Sequence, residues 1–204
     1  MPGKPKQVNV VRIGGCAEVV PGYSLKARAE HEPEGTHQIL MAKHLTEGMP
    51  YRYRDEDELH MTPTGNVDRY VVQAGDVLFV SRGTKNHSVV VESVPDNTLA
   101  SSTLYVLKIK PGIDPAYVAW YLNQAAAQAA INQVRTGAGT PIVQRNVFAE
   151  MPIPLPELKL QHQIAKLGDL MARERQIRMQ LVNETEHYHR LLGQQLLKTI
   201  ESRG

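Results

Sequence analysis

The chain has 204 residues, of which 42% are hydrophobic and 5% aromatic, with a formal net charge of +2 and one cysteine, Cys16. A chain of this length can bury one sizeable core, and a single cysteine excludes a disulfide framework. Because the sequence shows neither an uncharged apolar run of about 18 residues nor a leader, we expect a cytoplasmic protein with no membrane segment. Such a small net charge does not by itself indicate a nucleic-acid binder, so the distribution of charge must decide that question.

The first strands are predicted from short apolar runs. Residues 8–13 form the clearest strand in the polar, turn-rich first part of the chain. Residues 70–72 form an apolar run before a Gly-Asp turn, and residues 77–80 after that turn are a predicted strand. The polar, basic loop 81–88 follows, and residues 89–92 then form a strand.

The second half of the domain begins with a predicted strand at residues 103–110, whose side chains alternate as expected for a strand with one buried face. Pro111 and Gly112 end this strand. Asp114 and Pro115 fit the N-cap and first position of a helix whose body is predicted to extend over residues 117–134. A glycine-rich polar loop, residues 135–141, ends that helix.

Three alternating prolines at positions 152, 154 and 156 precede a long helical pattern. Each proline fixes its own φ and favours an extended residue before it, so the chain should be straight until a helix begins at Glu157 and Leu158. We refer to residues 152–157 as the proline joint. It divides the chain into a globular domain, residues 1–157, and one long C-terminal α-helix, residues 158–204.

The helix carries an apolar stripe at spacings of mostly three and four residues. Its members are Leu160, Ile164, Leu167, Met171, Ile177, Leu181, Tyr188, Leu192 and Leu196. A helix of about 40 residues is about 60 Å long, more than a domain of this size can cover. The stripe therefore predicts a partner helix, although Glu174, Arg178 and Glu184 interrupt it, and packing against the chain's own domain is the alternative.

The sequence contains none of the common motifs for chemistry. It lacks the nucleophile elbow, the Walker phosphate loop, the His-Glu-x-x-His zinc motif and the Cys-x-x-Cys pair. We therefore predict no catalytic residue, no metal site and no cofactor.

Two loops, residues 81–88 and 135–146, combine the side chains that donate to phosphates and base edges. Residues 69–148 contain seven basic and four acidic residues, so this part of the chain is modestly positive. Composition alone leaves a second interpretation open, in which both loops are ordinary exposed turns.

Five segments, in order, resemble the target recognition domain of the specificity subunits of type I restriction-modification systems. They are residues 75–83 (GDVLFVSRG), 100–107 (ASSTLYVL), 113–122 (IDPAYVAWYL), 139–142 (GTPI), and 153–156 with 161–164 (IPLP and QHQI). Residues 1–70 are similar only loosely, through residues 11–14 and a strand at 38–40. The resemblance implies an α+β fold, in which a mixed α/β recognition domain with a twisted sheet precedes the long helix.

The resemblance also implies function. Members of the family are non-catalytic modules whose recognition domains each read half of a split DNA site, while separate methyltransferase and restriction subunits act on DNA. Full-length members have two recognition domains and two long helices, whereas this sequence has one of each and no internal repeat. We therefore expect a half-subunit that pairs with its own copy through antiparallel helices and reads a two-part palindrome. The expected partners are double-stranded DNA, methyltransferase subunits, possible restriction subunits and a second copy. Pairing with a different half-subunit, and an assembly formed only with methyltransferase subunits, are the alternatives to the homodimer.

Under this resemblance the predicted DNA-binding residues come from both loops. They are Arg82, Thr84, Lys85, Asn86 and His87 in the first loop, and Arg135, Thr140, Gln144, Arg145 and Asn146 in the second. Arginine can bind guanine with two hydrogen bonds, and asparagine or glutamine can do so with adenine, whereas lysine and threonine more often contact phosphates. Lys43, His44, Arg52 and Arg54 are weaker candidates because an acidic run lies beside them.

Two other functional classes stay open. The first is a protein-interaction adaptor whose helix docks a partner and whose domain does not read DNA. The second is a small enzyme, which would need clustered titratable groups that the sequence does not display.

Overall fold

The structure is a computed structural model that describes residues 9–24 and 31–201, so Val8 of the first predicted strand lies outside the described residues. The chain divides into two compact units, residues 1–166 and residues 167–204. The first unit contains all the strands among the described residues. They are β1 (Asn9–Arg12), β2 (Ala17–Pro21), β3 (His37–Leu40), β4 (Tyr51–Arg52), β5 (His60–Met61), β6 (Val77–Val80), β7 (Ser88–Ser93), β8 (Thr98–Ala100), β9 (Leu104–Ile109), β10 (Arg135–Thr136), β11 (Ile142–Val143) and β12 (Pro152–Leu155).

The helices are short except for the last. They are α1 (Ile13–Cys16), α2 (Pro115–Leu122), α3 (Ala125–Val134), α4 (Arg145–Glu150) and α5 (Leu158–Glu201), with 3-10 turns at Ala42–His44, Asp55–Asp57 and Asp68–Tyr70. No helix in the described part of the chain is both long and apolar enough to span a membrane.

A five-stranded sheet of order β2-β9-β6-β7-β4 is the centre of the first unit. Its pairs are antiparallel except for the parallel pair β4 and β7. A three-stranded sheet, β5-β3-β8, and the pairs β1-β12 and β10-β11 complete the strand pairing. The predicted α+β class is confirmed, as are the strands predicted at 77–80, 89–92 and 103–110 to within a residue or two.

The central sheet is buried on both faces because its strands place alternate apolar side chains on opposite sides. Val77 and Phe79 of β6 join the core beneath the helices, whereas Leu78 and Val80 join the core on the other face. Phe79 stacks on Phe148 of α4 with ring centroids 4.2 Å apart. The helices therefore cover one face of the sheet.

The predicted helix over residues 117–134 was wrong in its continuity. It starts as expected, since Pro115 is the first residue and Asp114 Oδ1 accepts from the backbone N–H of Ala116 at 2.8 Å. However, α2 ends at Leu122, and Gln124 is extended (φ −76°, ψ 150°) before α3 begins. The physical reason is that the Asn123 side chain forms hydrogen bonds with the backbone of Ser88 in β7, and these bonds hold the chain where the helix breaks.

The apolar run at residues 70–72 is not a ladder strand. Tyr70 ends a 3-10 turn, and Val71 makes a single antiparallel bridge to Leu99. Tyr70 forms an edge contact with the ring of Tyr23 and lies under the Arg69 guanidinium. Tyr70 therefore uses its apolar surface in side-chain packing and not in a β-ladder.

The proline joint is extended, as predicted, and it is also a paired strand. β12 is antiparallel to β1, with Val10 opposite Pro154. The carbonyls of Pro152 and Pro154 accept hydrogen bonds from the hydroxyls of Tyr121 and Tyr117, at 3.3 and 2.5 Å. Strand pairing on one side and tyrosine hydroxyls on the other therefore both hold the joint.

The second unit is the continuation of α5, which starts at Leu158 as predicted and is described to Glu201. A helix of 44 residues is about 66 Å long. Its predicted stripe residues differ in burial: Ile164 is half-buried and packs against the core of the first unit, whereas Leu167 is 58% exposed. Beyond Leu167 the remaining stripe residues are exposed, namely Met171, Ile177, Leu181, Tyr188, Leu192 and Leu196.

Candidate nucleic-acid interface

The fold brings the two predicted DNA-binding loops together. Arg82 forms an antiparallel bridge with Ile142, and the backbone N–H of Gly83 donates to the carbonyl of Pro141 at 2.8 Å. The Val143 N–H donates to the Ser81 carbonyl at 2.9 Å. Gly83 has φ +97°, which favours glycine at the point where the first loop turns beside the second. The loops therefore form one continuous surface.

Three side chains from outside the first loop hold alternate residues of its backbone. Asn123 exchanges two hydrogen bonds with the backbone of Ser88, both at 2.8 Å. Gln128 of α3 donates to the Asn86 carbonyl at 2.6 Å, and Arg135 donates to the Thr84 carbonyl at 2.8 Å. These bonds replace the ladder bonds that an irregular loop lacks, so the loop is fixed in one conformation.

The structure separates the first-loop candidates into exposed and internal residues. Arg82, Thr84 and Lys85 are exposed. Asn86 is 2% exposed, and its side-chain amide donates to the Val80 carbonyl at 2.9 Å. His87 is half-buried, and burial lowers its pKa, so its imidazole adds no positive charge near neutral pH. Only the first three therefore present donors to solvent.

The second-loop candidates are mostly exposed. Thr140, Gln144, Arg145 and Asn146 are exposed, and the last three lie at the start of α4. Arg135 is half-buried and its guanidinium is engaged by the first loop. The residues that offer donors on the surface formed by the two loops are therefore Arg82, Thr84, Lys85, Thr140, Gln144, Arg145 and Asn146, which we call the donor surface. Arg145 is exposed, although its Nη1 also donates to the Val19 carbonyl at 3.4 Å.

The positive charge of the donor surface comes from few residues. Burial raises the pKa of Tyr105, and the positive charges of Arg82 and Arg145 oppose that shift. Lys108 is paired within the protein, because its ammonium lies 2.6 Å from the Asp76 carboxylate. Burial raises the pKa of that carboxylate. The ammonium of Lys110 likewise donates to the carbonyls of Gly14 and Gly15, both at 3.1 Å.

Three of the four weaker candidates from the first part of the chain are engaged within the protein, whereas Lys43 is exposed. Arg52 pairs with Glu92, and Arg54 pairs with Glu56 at 2.5 Å. His44 is 8% exposed, and its Nδ1 accepts from the Met41 N–H at 3.2 Å. None of these three side chains is thus an unpaired donor.

Sequence reasoning missed Asn123 and Gln128, which position the first loop without belonging to it. The available signal was the Asn-Gln pair at 123–124, because asparagine is a poor residue for a helix interior and a good one for local side-chain bonding. Within residues 9–24 and 31–201, no group of three or more histidine, cysteine, aspartate or glutamate side chains could hold a metal ion.

Comparison with known proteins identifies the family. The sequence profile of the type I restriction modification DNA specificity domain matches residues 5–181. The chain is 25% identical over 164 residues to the type I restriction enzyme MjaVIII specificity subunit of Methanocaldococcus jannaschii, covering 80% of this chain and 35% of that one.

Solved structures share the fold. The S subunit of the type I system of M. genitalium aligns with a TM-score of 0.52 and 14% identity, covering 82% of this chain and 40% of that one. The HsdS subunit of Thermoanaerobacter tengcongensis aligns with a TM-score of 0.59 and 17% identity, covering 85% and 40%. A chain from a structural study of the assembly and conformational transition of the type I R-M system aligns at 0.65 and 18% identity, covering 91% and 44%.

The α+β fold, in which a unit of small sheets and short helices precedes a long helix, is shared with these solved chains. The chain belongs to the type I restriction-modification DNA specificity family, and the predicted resemblance is confirmed. Specificity subunits of these systems are non-catalytic DNA-recognition proteins. The chain spans about a third of the length of the curated relative, and 40–44% of the length of the solved chains.

Proposed function

We propose that this chain reads one half of a bipartite DNA target as the specificity component of a type I restriction-modification system. The observation that carries the proposal is the donor surface, where two loops far apart in sequence meet through the Gly83 to Pro141 hydrogen bond of 2.8 Å. Arg82 and Arg145 can each bind a guanine edge or a phosphate, and Gln144 and Asn146 can each bind an adenine edge. Family membership supports the same assignment.

The donor surface is small enough to read only a few base pairs. It offers three positive charges, from Arg82, Lys85 and Arg145. Affinity from so few phosphate contacts is modest, because each neutralised phosphate releases only about one counterion. Each such contact therefore adds about one unit to the slope of the salt dependence. Tight binding therefore needs a second recognition domain, which fits a bipartite site.

We propose that a second copy of the chain supplies that domain, through pairing of the exposed α5 helices. Of 17 exposed large hydrophobic residues in the described chain, 13 lie between Leu167 and Ile200. Concentrated apolar exposure of this kind marks an interaction surface. Twofold pairing would place identical recognition domains on the two halves of a palindromic site. Docking of methyltransferase subunits belongs to the same proposal.

Mapping methylated adenines by long-read sequencing tests the proposal. Cells carrying the methyltransferase subunit of the same system are compared with and without the gene for this chain. We expect a two-part motif with inverted halves and a fixed spacer to be methylated only when the chain is present. A chain carrying both Arg82→Ala and Arg145→Ala should lose the motif, and an unchanged methylation pattern in the presence of the wild-type chain would refute the proposal.

The adaptor hypothesis makes a different prediction for the purified chain. An adaptor that does not read DNA would bind specific and random duplexes equally at every salt concentration. A site reader keeps a preference for one sequence after the sequence-independent part of its binding is removed by salt.

A further inference from the structure

Two charged residues interrupt the exposed apolar stripe of α5 near its middle. Glu174 and Arg178 are one helical turn apart and form an ion pair at 2.6 Å, with 58% and 77% of their side chains exposed. They stand at positions that continue the three-four spacing of Leu167, Met171 and Leu181. We call the positions that follow this spacing the seam, because they would face a partner helix. Charged residues at seam positions cost stability unless the partner helix offers the opposite charge.

The seam positions are symmetric about the level of residue 176. Along the exposed part of α5 they are 167, 171, 174, 178, 181 and 185, and each has a counterpart at the same distance on the other side of 176. In two antiparallel copies centred there, Glu174 of one copy faces Arg178 of the other, and Met171 faces Leu181. At the ends of this segment Leu167 faces Thr185. The sequence around the seam is therefore complementary to its own reverse.

We propose that α5 pairs with a second copy in this antiparallel register, and that the reciprocal Glu174–Arg178 pairs between copies select it. The inference rests on the homodimer of the proposed function and adds its register. If the level about which the two helices are symmetric moved by 3.5 residues in either direction, seam positions would still face seam positions, but the opposite charges would no longer face each other. Glu174 would then face Thr185 or Met171 of the second copy, and Arg178 would face Leu181 or Leu167. Both alternatives bury unmatched charges.

Charge reversal tests the role of the two residues. Glu174→Arg makes the centre of the seam wholly positive, and Arg178→Glu makes it wholly negative. We expect each variant alone to self-associate about tenfold or more weakly than the wild type in sedimentation equilibrium, because like charges then meet across the seam. An equimolar mixture of the two variants should form a heterodimer, and the double variant Glu174→Arg/Arg178→Glu should self-associate like the wild type.

A matched control is available on the same helix. Arg173 forms a similar ion pair with Asp169 at 3.0 Å, but it lies outside the seam. Arg173→Glu should therefore leave self-association unchanged. If it weakens self-association as much as the seam reversals do, or if mixing the two seam variants restores nothing, the charge pairing is wrong.

Cysteine crosslinking fixes direction and register. Cys16 is buried, so it does not compete for oxidation. A mixture of Met171→Cys and Leu181→Cys chains should form a disulfide on mild oxidation, and neither variant should crosslink to itself, because equivalent positions 171 lie about 15 Å apart along the helix axis. A dimer in which Met171→Cys crosslinks to itself overturns the register but keeps the homodimer. A wild-type chain that stays monomeric at micromolar concentration overturns the homodimer as well.

Discussion

Arg82 and Lys85 lie three residues apart in one exposed loop, but their chemistry predicts different roles. The guanidinium of Arg82 is planar and can form two parallel hydrogen bonds with a guanine, whereas the Lys85 ammonium is a point charge suited to a phosphate. Arg82 is also anchored by its bridge to Ile142, which fixes the start of its side chain. Position and side-chain geometry together therefore favour base reading by Arg82.

Arg82→Ala should reduce the free energy of binding to the cognate site by about 1–3 kcal/mol and relax one base position. Lys85→Ala should weaken binding to all sequences alike and reduce the salt slope by about one unit. Binding titrations on cognate and single-base variant duplexes at several salt concentrations measure both effects. Arg190→Ala on α5 is the control, and equal losses for both loop variants on cognate and random DNA would contradict the base-reading role.

Sequence reasoning at the residue scale predicted where polar donors lie but not which of them bind protein. Asn86 and Arg82 look alike as loop donors in the sequence. Asn86 is nevertheless 2% exposed and bonded to Val80, whereas Arg82 is exposed. The difference depends on long-range contacts, because the loop folds inward only where Asn123 and Gln128 hold its backbone.

Asn123→Ala should destabilise the first unit by about 1–3 kcal/mol, because the backbone N–H and C=O of Ser88 lose their partners. The first loop should also lose its fixed conformation, so discrimination between cognate and random DNA should fall. Urea unfolding measures the first effect and competition binding the second. Asn132→Ala, an exposed asparagine of α3, is the control. Full discrimination in a destabilised Asn123→Ala chain would show that the contact serves stability alone.

At the scale of elements, the period of apolar residues predicted most of the central sheet. Strands β6 and β7 were visible as short continuous apolar runs between turn residues, because both of their faces are buried, and β9 was visible from its alternating side chains. The apolar run at Tyr70 gave the same signal but lies in a 3-10 turn that packs against Tyr23. Short apolar runs report burial, and the pairing that makes a strand depends on distant residues.

Gln161 links three elements near the start of α5. It is 2% exposed, and its Oε1 accepts from the Asp114 N–H at 2.9 Å while its Nε2 donates to the Pro156 carbonyl at 2.8 Å. The same side chain thus ties the first turn of α5 to the N-cap of α2 and to the proline joint. The sequence placed Gln161 at the helix start, but its polar character gave no sign of burial.

Gln161→Ala should reduce the free energy of unfolding by about 1–3 kcal/mol, because the buried Asp114 N–H and the partly buried Pro156 carbonyl lose their partner. Gln163→Ala, two residues later and exposed, should change stability by less than about 0.5 kcal/mol. Urea denaturation followed by circular dichroism compares the two. Similar small effects for both variants would show that solvent replaces the bonds that Gln161 makes.

At the scale of the molecule, the proline joint connects the recognition module to the helix that we propose sets the distance between half-sites. Its strand pairs with β1 on one side and accepts tyrosine hydroxyls on the other. These contacts restrict the joint more than proline dihedrals alone would. A restricted joint is what a bipartite reader needs, because a free joint would allow half-sites at many separations.

Insertion of Gly-Ser between Pro156 and Glu157 tests this role, since it leaves β12 intact but adds two flexible residues before α5. We expect the variant to bind a single half-site as well as the wild type and to lose most of its preference for one spacer length. Selection from duplex libraries that vary only the spacer measures that preference. The same dipeptide appended at the carboxyl end is the control. An unchanged spacer preference would mean that the angle between domain and helix does not determine the target, and the joint would then serve only to close the fold of the recognition domain.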